Sequence, residues 1–239
     1  MANNYFEFKQ FKVQQELAAM KVGTDGVLLG AWACFDNSNA ILDIGTGTGL
    51  IALMAAQRNK KARIVGIDID ADAYLQAKTN VSNSDWGDRI TIINSSLQQY
   101  AKVNHQGFDH LVCNPPFFNN SFKSQHKSRT LARHTDALPY AELIENASKL
   151  ISKAGCFSVI LPYAEMDNFC QLAVNSGFYS RRILYVKPTP AKTFVRVLIE
   201  FVKENNAQVI KTEMIIEDKG RHGYSDDYIA MTKEFYVKI

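Results

Sequence analysis

The stretch Ala40-Ile41-Leu42-Asp43-Ile44-Gly45-Thr46-Gly47-Thr48-Gly49-Leu50-Ile51-Ala52-Leu53-Met54-Ala55 restricts the fold more than any other part of the chain. An apolar run of strand type gives way to three glycines at alternate positions, then to an Ala/Leu/Met-rich helical pattern. Glycine tolerates positive φ and lets a ligand approach the backbone closely. The free amides at the start of the following helix suit anionic ligand groups. The spacing is Gly-x-Gly-x-Gly, distinct from the Gly-x-Gly-x-x-Gly of dinucleotide folds. No Lys-Ser/Thr pair follows, so a nucleoside triphosphate site is not expected.

The same alternation of strand and helix continues through most of the chain. Strands are expected at 40–44, 63–68, 89–94, 108–113, 155–161 and 179–187. Helices are expected at 49–58, 71–83, 97–101, 139–152 and 164–176. Phe6 to Val13 alternates as a short strand or hairpin would, and Thr24 or Asp25 is placed to cap a helix from Val27 to Cys34. Two late strands, 193–203 and 208–216, have no helix between them and suggest an antiparallel edge hairpin, before a final helix at 225–235. The pattern predicts an α/β fold, a doubly wound and mostly parallel sheet.

Two further positions lie where such a sheet binds ligands, at the carboxyl ends of its strands. The run Arg63-Ile64-Val65-Gly66-Ile67-Asp68 ends in an acid about twenty residues after the glycines, a placement suited to both hydroxyls of a ribose. Asp70 is better read as the N-cap of the next helix. The strand Phe108-Asp109-His110-Leu111-Val112-Cys113 runs into Asn114-Pro115-Pro116-Phe117. Asparagine brings one acceptor oxygen and two N–H donors. The two prolines stiffen the loop, and Phe117 offers a flat face for a planar group. The set suits gripping a planar molecule by an amino group. A plain proline turn, with Phe117 in the core, is the alternative for the tetrapeptide taken alone.

The 239 residues, 46% of them hydrophobic, suffice for one sizeable domain rather than two. No apolar run approaches the roughly eighteen residues that span a membrane, and Met1-Ala2-Asn3-Asn4-Tyr5 has no leader pattern. Cys34, Cys113, Cys156 and Cys170 form no Cys-x-x-Cys pair, so neither a metal site nor a redox motif is expected, and Cys113 and Cys156 read as small buried hydrophobes. A cytoplasmic location fits best. The net charge of +3 is too small to argue for nucleic acid. Its distribution says more: from Asn119 to Thr135 the chain holds Lys123, Lys127, Arg129, Arg133, His126 and His134 without an acid. Cations there would meet phosphates while a base enters the site, or form a solvated loop.

Asp43-x-Gly45-x-Gly47-x-Gly49, then Asp68, then Asn-Pro-Pro-Phe, resembles the class I S-adenosylmethionine-dependent methyltransferases. The tetrapeptide is similar to the signature of those that methylate exocyclic or amide nitrogens. Phe8-Lys9-Gln10-Phe11, the segment from Ala19 through Lys21-Val22-Gly23-Thr24-Asp25-Gly26 to Trp32, and the tail from Tyr224-Ser225-Asp226-Asp227-Tyr228 to Phe235-Tyr236 resemble the bacterial valine-tRNA adenine-37 N6-methyltransferases. The resemblance implies a seven-stranded sheet and one methyltransferase domain over 1–239, with residues 1–35 forming part of the cofactor-site cover. It also implies S-adenosyl-L-methionine as cofactor and a tRNA substrate, and a monomer is favoured. Catalysis falls to Asn114, Pro115 and Phe117. The cofactor falls to Lys21, Thr24, Asp43, Gly45, Gly47, Gly49, Asp68, Ser96 and Asn114, with Asp43 bracing the glycine loop. The substrate falls to Pro116, Phe118, Lys123, Lys127, Arg129 and Arg133. Ser96 stands where related enzymes place an acid that accepts from the adenine amino group. Rival acceptors for the same tetrapeptide are a protein glutamine amide, the guanine N2 of ribosomal RNA and adenine in DNA. A silent RNA-binding module is a rival of another class.

Overall fold

The computed structural model describes residues 4–105, 107–116, 138–205 and 208–239. Strands β1 (Tyr5–Glu7) and β2 (Lys12–Gln14) precede helix α1 (Thr24–Trp32). There follow β3 (Ala40–Ile44), α2 (Leu50–Arg58), β4 (Arg63–Asp68), α3 (Ala71–Ser82), β5 (Ile90–Asn94), α4 (Leu97–Val103) and β6 (Phe108–Cys113). The second half holds α5 (Tyr140–Leu150), β7 (Ile151–Pro162), α6 (Met166–Asn175), β8 (Tyr179–Lys187), β9 (Arg196–Val202), β10 (Ile210–Ile215) and α7 (Asp226–Thr232).

The central strands are apolar on both faces, which forces helices onto both sides of the sheet. Neighbours such as Ile41 and Leu42 point to opposite faces. Ile41 joins a core with α1, α2 and Tyr228 of α7, and Leu42 joins one with α4, α5 and α6. Each fully buried Leu, Ile or Phe contributes about 1.5–3 kcal/mol. The main sheet runs β10-β8-β9-β7-β6-β3-β4-β5. β7, β6, β3, β4 and β5 are parallel, so the loops after β3, β4, β5 and β6 emerge along one edge.

The sheet is mostly parallel with an antiparallel hairpin, as expected, but has eight strands instead of seven. The hairpin is formed by β8 and β9, and β9 also pairs antiparallel with β7. β10 does not return onto β9; it lies outside β8 and parallel to it. β7 begins at Ile151, earlier than its apolar run: Ile151 pairs with Phe108 of β6, and the register shifts before His110 meets Cys156. α1 begins at Thr24 with Gly23 as its N-cap and no capping side chain. The expected cap by Thr24 or Asp25 is therefore replaced: Asp25 Oδ2 accepts from Arg196 Nε of β9 at 2.9 Å. Asp70 caps α3 as expected, accepting from Asp72 and Ala73 amides.

β1 and β2 pair antiparallel, and Phe8 stacks near Phe11 and Tyr236, so the first and last described segments pack together. Beyond β2 the chain crosses α3. Asn80, buried there, accepts from Gln14 N and donates Nδ2 to Gln14 O and Thr48 O, each at 2.9 Å. Gln76 Oε1 accepts from Leu17 N at 3.0 Å. One amide side chain thus ties the N-terminal segment to the glycine loop. Asn80→Asp removes both donors and leaves two carbonyls short of a partner. Its unfolding free energy should fall by about 1–3 kcal/mol, with faster amide exchange over residues 14–22. Wild-type exchange in that segment would count against the tie.

Candidate active site

The site is built at the sheet edge where β3, β4, β5 and β6 end. After β3 the backbone turns through Gly45 (φ 68°), Gly47 (φ 57°) and Gly49 (φ 80°), all left-handed. A side chain at any of them would be strained, and added Cβ atoms at Gly45 would meet nothing within 4 Å. That open space is where a ligand reaches the backbone.

Two acids hold this turn. Asp43 is buried; its Oδ2 accepts from Thr46 Oγ1 at 2.6 Å and from Ala52 N at 3.2 Å, joining the loop to α2. Its other oxygen, Oδ1, is buried without a hydrogen-bond partner. Burial, and secondarily the charge of Asp68, pushes the Asp43 carboxyl up to about 7. Asp68 Oδ2 accepts from Gly47 N at 2.8 Å and its Oδ1 from Asp70 N at 2.9 Å. Burial also raises the Asp68 pKa. A carboxylate offers about four lone-pair sites, so Asp68 retains acceptor capacity beyond these two amides.

Asn114 follows β6. Its Oδ1 is buried with no hydrogen-bond partner. A buried acceptor left unpaired costs about 1–3 kcal/mol, so such an atom points to a ligand. Asn114 borders a cavity of about 520 Å³ with Gly45, Gly47 and Asp68, and an adjoining one of about 320 Å³ with Lys21, Thr24 and Thr48. Asn114, Gly45, Gly47 and Met20 line both.

Residues 27–161 match the family described as the methyltransferase small domain. The chain is 46% identical to a tRNA1(Val) (adenine(37)-N6)-methyltransferase of Flavobacterium psychrophilum, over 98% of this chain and 100% of the relative. It is 44% identical to one from Pseudoalteromonas translucida (98% and 99%) and 43% identical to one from Bacteroides fragilis (100% of both). The chain belongs to the tRNA1(Val) (adenine(37)-N6)-methyltransferase family. Solved structures share the fold. A protein described as a predicted O-methyltransferase from Agrobacterium tumefaciens superposes with TM-score 0.71 at 19% identity, over 88% of this chain and 96% of that one. A ribosomal protein L11 methylase from Lactobacillus delbrueckii gives 0.58 at 16% identity, over 81% and 84%.

Of the expected site residues, Asp68, Ser96, Pro115 and Pro116 line the larger cavity, Lys21 and Thr24 the smaller, and Gly45, Gly47 and Asn114 both. Gly49 instead serves as the N-cap position of α2, its backbone against Ala77. Asp43 lies beneath the loop, bracing it through a hydroxyl and a helix amide; it lines neither cavity. Ser96 Oγ accepts from Gln99 N at 3.2 Å as the N-cap of α4, and keeps its O–H and a second lone pair. Phe117, Phe118, Lys123, Lys127, Arg129 and Arg133 lie outside the described residues. Among the described residues, no helix is long and apolar enough to cross a membrane.

Sequence reasoning passed over Met20 and Ile69, both 59% exposed and both on the cavity wall, and also Gln98 and Glu142. Ile69 had a signal: an apolar residue between two acids at a strand end. Sequence reasoning also missed that His110, Cys156 and Glu200 meet, their ligand-type atoms within 4.8 Å of one another. Arg181 donates Nε and Nη2 to Glu200 Oε1 at 3.1 and 2.9 Å, answering its charge. Burial pushes His110 down to about 3 and the Cys156 thiol up to about 12, so both are neutral. The trio joins β6, β7 and β9 as a polar brace.

A carboxyl raised by burial keeps its proton in the folded state while the unfolded chain has already lost it. Asp43 therefore favours folding fully below the unfolded value of 3.8, and that contribution is lost as pH rises through about 7. Replacing Asp43 with Asn removes this titration. The stability of Asp43→Asn relative to wild type should rise from pH 5 through 7, by up to a few kcal/mol, and level off only about a unit above 7. Urea unfolding across pH 5–8 measures it; a pH-independent difference would refute the buried titration.

Proposed function

We propose that this protein transfers a methyl group from S-adenosyl-L-methionine to the N6 nitrogen of an adenosine in a tRNA anticodon loop. The relatives' names point to valine tRNA, position 37. The observation that carries the reading is the buried, unpartnered Asn114 Oδ1 beside the glycine loop in one cavity.

The chain's residues fit this donor. The left-handed glycines leave room for a ligand against the backbone, and Asp68 is the acceptor for ribose hydroxyls. Lys21 and Thr24 border the smaller cavity and suit the donor's carboxylate end; residues 1–35 supply part of the cover, with the whole chain acting as one methyltransferase domain. S-adenosylmethionine, when bound, supplies an electrophilic methyl on a sulfonium. The protein's task is to present the nucleophile in line with it.

The exocyclic nitrogen of adenine is a poor nucleophile because its lone pair is delocalised into the ring. Asn114 Oδ1 and the Pro115 carbonyl each accept one amino hydrogen. This holds the nitrogen, favours its pyramidalisation so that the lone pair leaves conjugation with the ring, and stabilises positive charge as the bond forms. The extra proton leaves to water afterwards. Pro115 is buried and Pro116 exposed, so the rigid pair sets the depth to which a base enters. Phe117 stacks on the base, for about 1–3 kcal/mol. Lys123, Lys127, Arg129 and Arg133, with Phe118, meet the RNA around it. A base in a loop is already partly unpaired, so its extrusion costs little.

Asn114→Ala should lower the methylation rate on tRNA by roughly 10²–10³-fold and leave the Kd for S-adenosylhomocysteine within about threefold. Single-turnover kinetics and calorimetry separate the two. Loss of cofactor binding with the rate per bound enzyme unchanged would assign Asn114 to the cofactor instead.

A further inference from the structure

Glu142 and Gln98 border the larger cavity and have no part in the chemistry above. They come from different helices, α5 and α4. Gln98 Nε2 donates to Glu142 Oε2 at 2.6 Å. The bond fixes one carboxylate oxygen at the cavity wall and leaves the other oxygen open.

The order of strands says what meets that oxygen. Along the sheet edge, Asn114 stands after β6, the glycine loop after β3, Asp68 after β4, and α4 follows β5. A donor with its methyl at Asn114 and its ribose at Asp68 places its base one strand further, by the turn from β5 into α4. Adenine presents an exocyclic amino group there, which has only hydrogens to offer. The hydroxyls of the turn each make one hydrogen bond already, and the acceptor capacity they keep is that of neutral groups: Ser96 Oγ accepts from Gln99 N at 3.2 Å, and Ser95 Oγ donates to Ser96 O at 3.0 Å. An ionised carboxylate is a pure acceptor and the stronger partner for an amino group.

We propose that Glu142, held in place by Gln98, accepts from the amino group of the donor's adenine and so selects adenine over other bases. The inference rests on the reading of Asp68 and Asn114 as the ribose and methyl ends. Glu142 is a specificity-determining residue, and Gln98 a positioning residue acting through it. Glu142 is exposed on the first turn of α5, so its replacement leaves the core intact.

Calorimetry on the full chain tests this with S-adenosylhomocysteine and its inosine counterpart, in which a carbonyl oxygen replaces the amino group. Wild type should bind the adenine compound at least roughly tenfold more tightly, because the inosine oxygen faces a carboxylate. Glu142→Ala should shrink that ratio to about two or three, chiefly by weakening the adenine compound. Glu142→Gln, which keeps the size and adds a donor, should shrink it by strengthening the inosine compound. Gln98→Ala should give an intermediate ratio. A wild-type ratio near one, or the full ratio surviving in Glu142→Ala, overturns the assignment to Glu142. Failure of wild type to bind either compound overturns the methyl-donor reading itself.

Discussion

The turn from β3 into α2 is the constraint on which the rest of the structure depends. Three left-handed glycines bring the chain round, with open space above the backbone at Gly45, and two acids of adjoining strands keep it there. Asp43 holds the turn from below, through Thr46 and the first turns of α2; Asp68 holds it from the side, through Gly47. Both carboxyls are raised by burial, Asp43 further by the charge of Asp68. Two acids so close suit a ligand that brings positive charge, as a sulfonium with an ammonium group does.

Everything functional hangs from that turn. The parallel order β6-β3-β4-β5 sets Asn114, the glycines, Asp68 and α4 side by side at one edge. Asn80 extends the arrangement to the N-terminal segment, which then lines the cavities through Met20, Lys21 and Thr24. The chemistry proposed for Asn114 is modest. An acceptor without a partner, in a buried place, is pre-arranged for an amino group and needs no reorganisation when one arrives.

Much of this was legible in the residues, because local signals and tertiary demands agreed there. The apolar runs of β3, β4 and β6, the alternate glycines and the Asp70 cap each follow from nearest-neighbour chemistry. The misreadings arose where a distant partner prevailed. Asp25 was read as a cap, but Arg196, far along the chain, takes its carboxylate. The place of β10 outside β8 was hidden because short links usually join neighbouring strands, and here β8 stands between β9 and β10. Glu142 and Gln98 carry no local signal: only the packing of α5 against α4 brings them to the same wall.

The central claim is that a built pocket presents an amino group of a nucleic-acid base to a methyl donor. The most direct measurement incubates the protein and labelled S-adenosylmethionine with total RNA, DNA and protein from cells that lack it, then digests the labelled fraction to its components. The account predicts label in tRNA, recovered as N6-methyladenosine. Label recovered only in protein, or in a different methylated nucleoside, would contradict it.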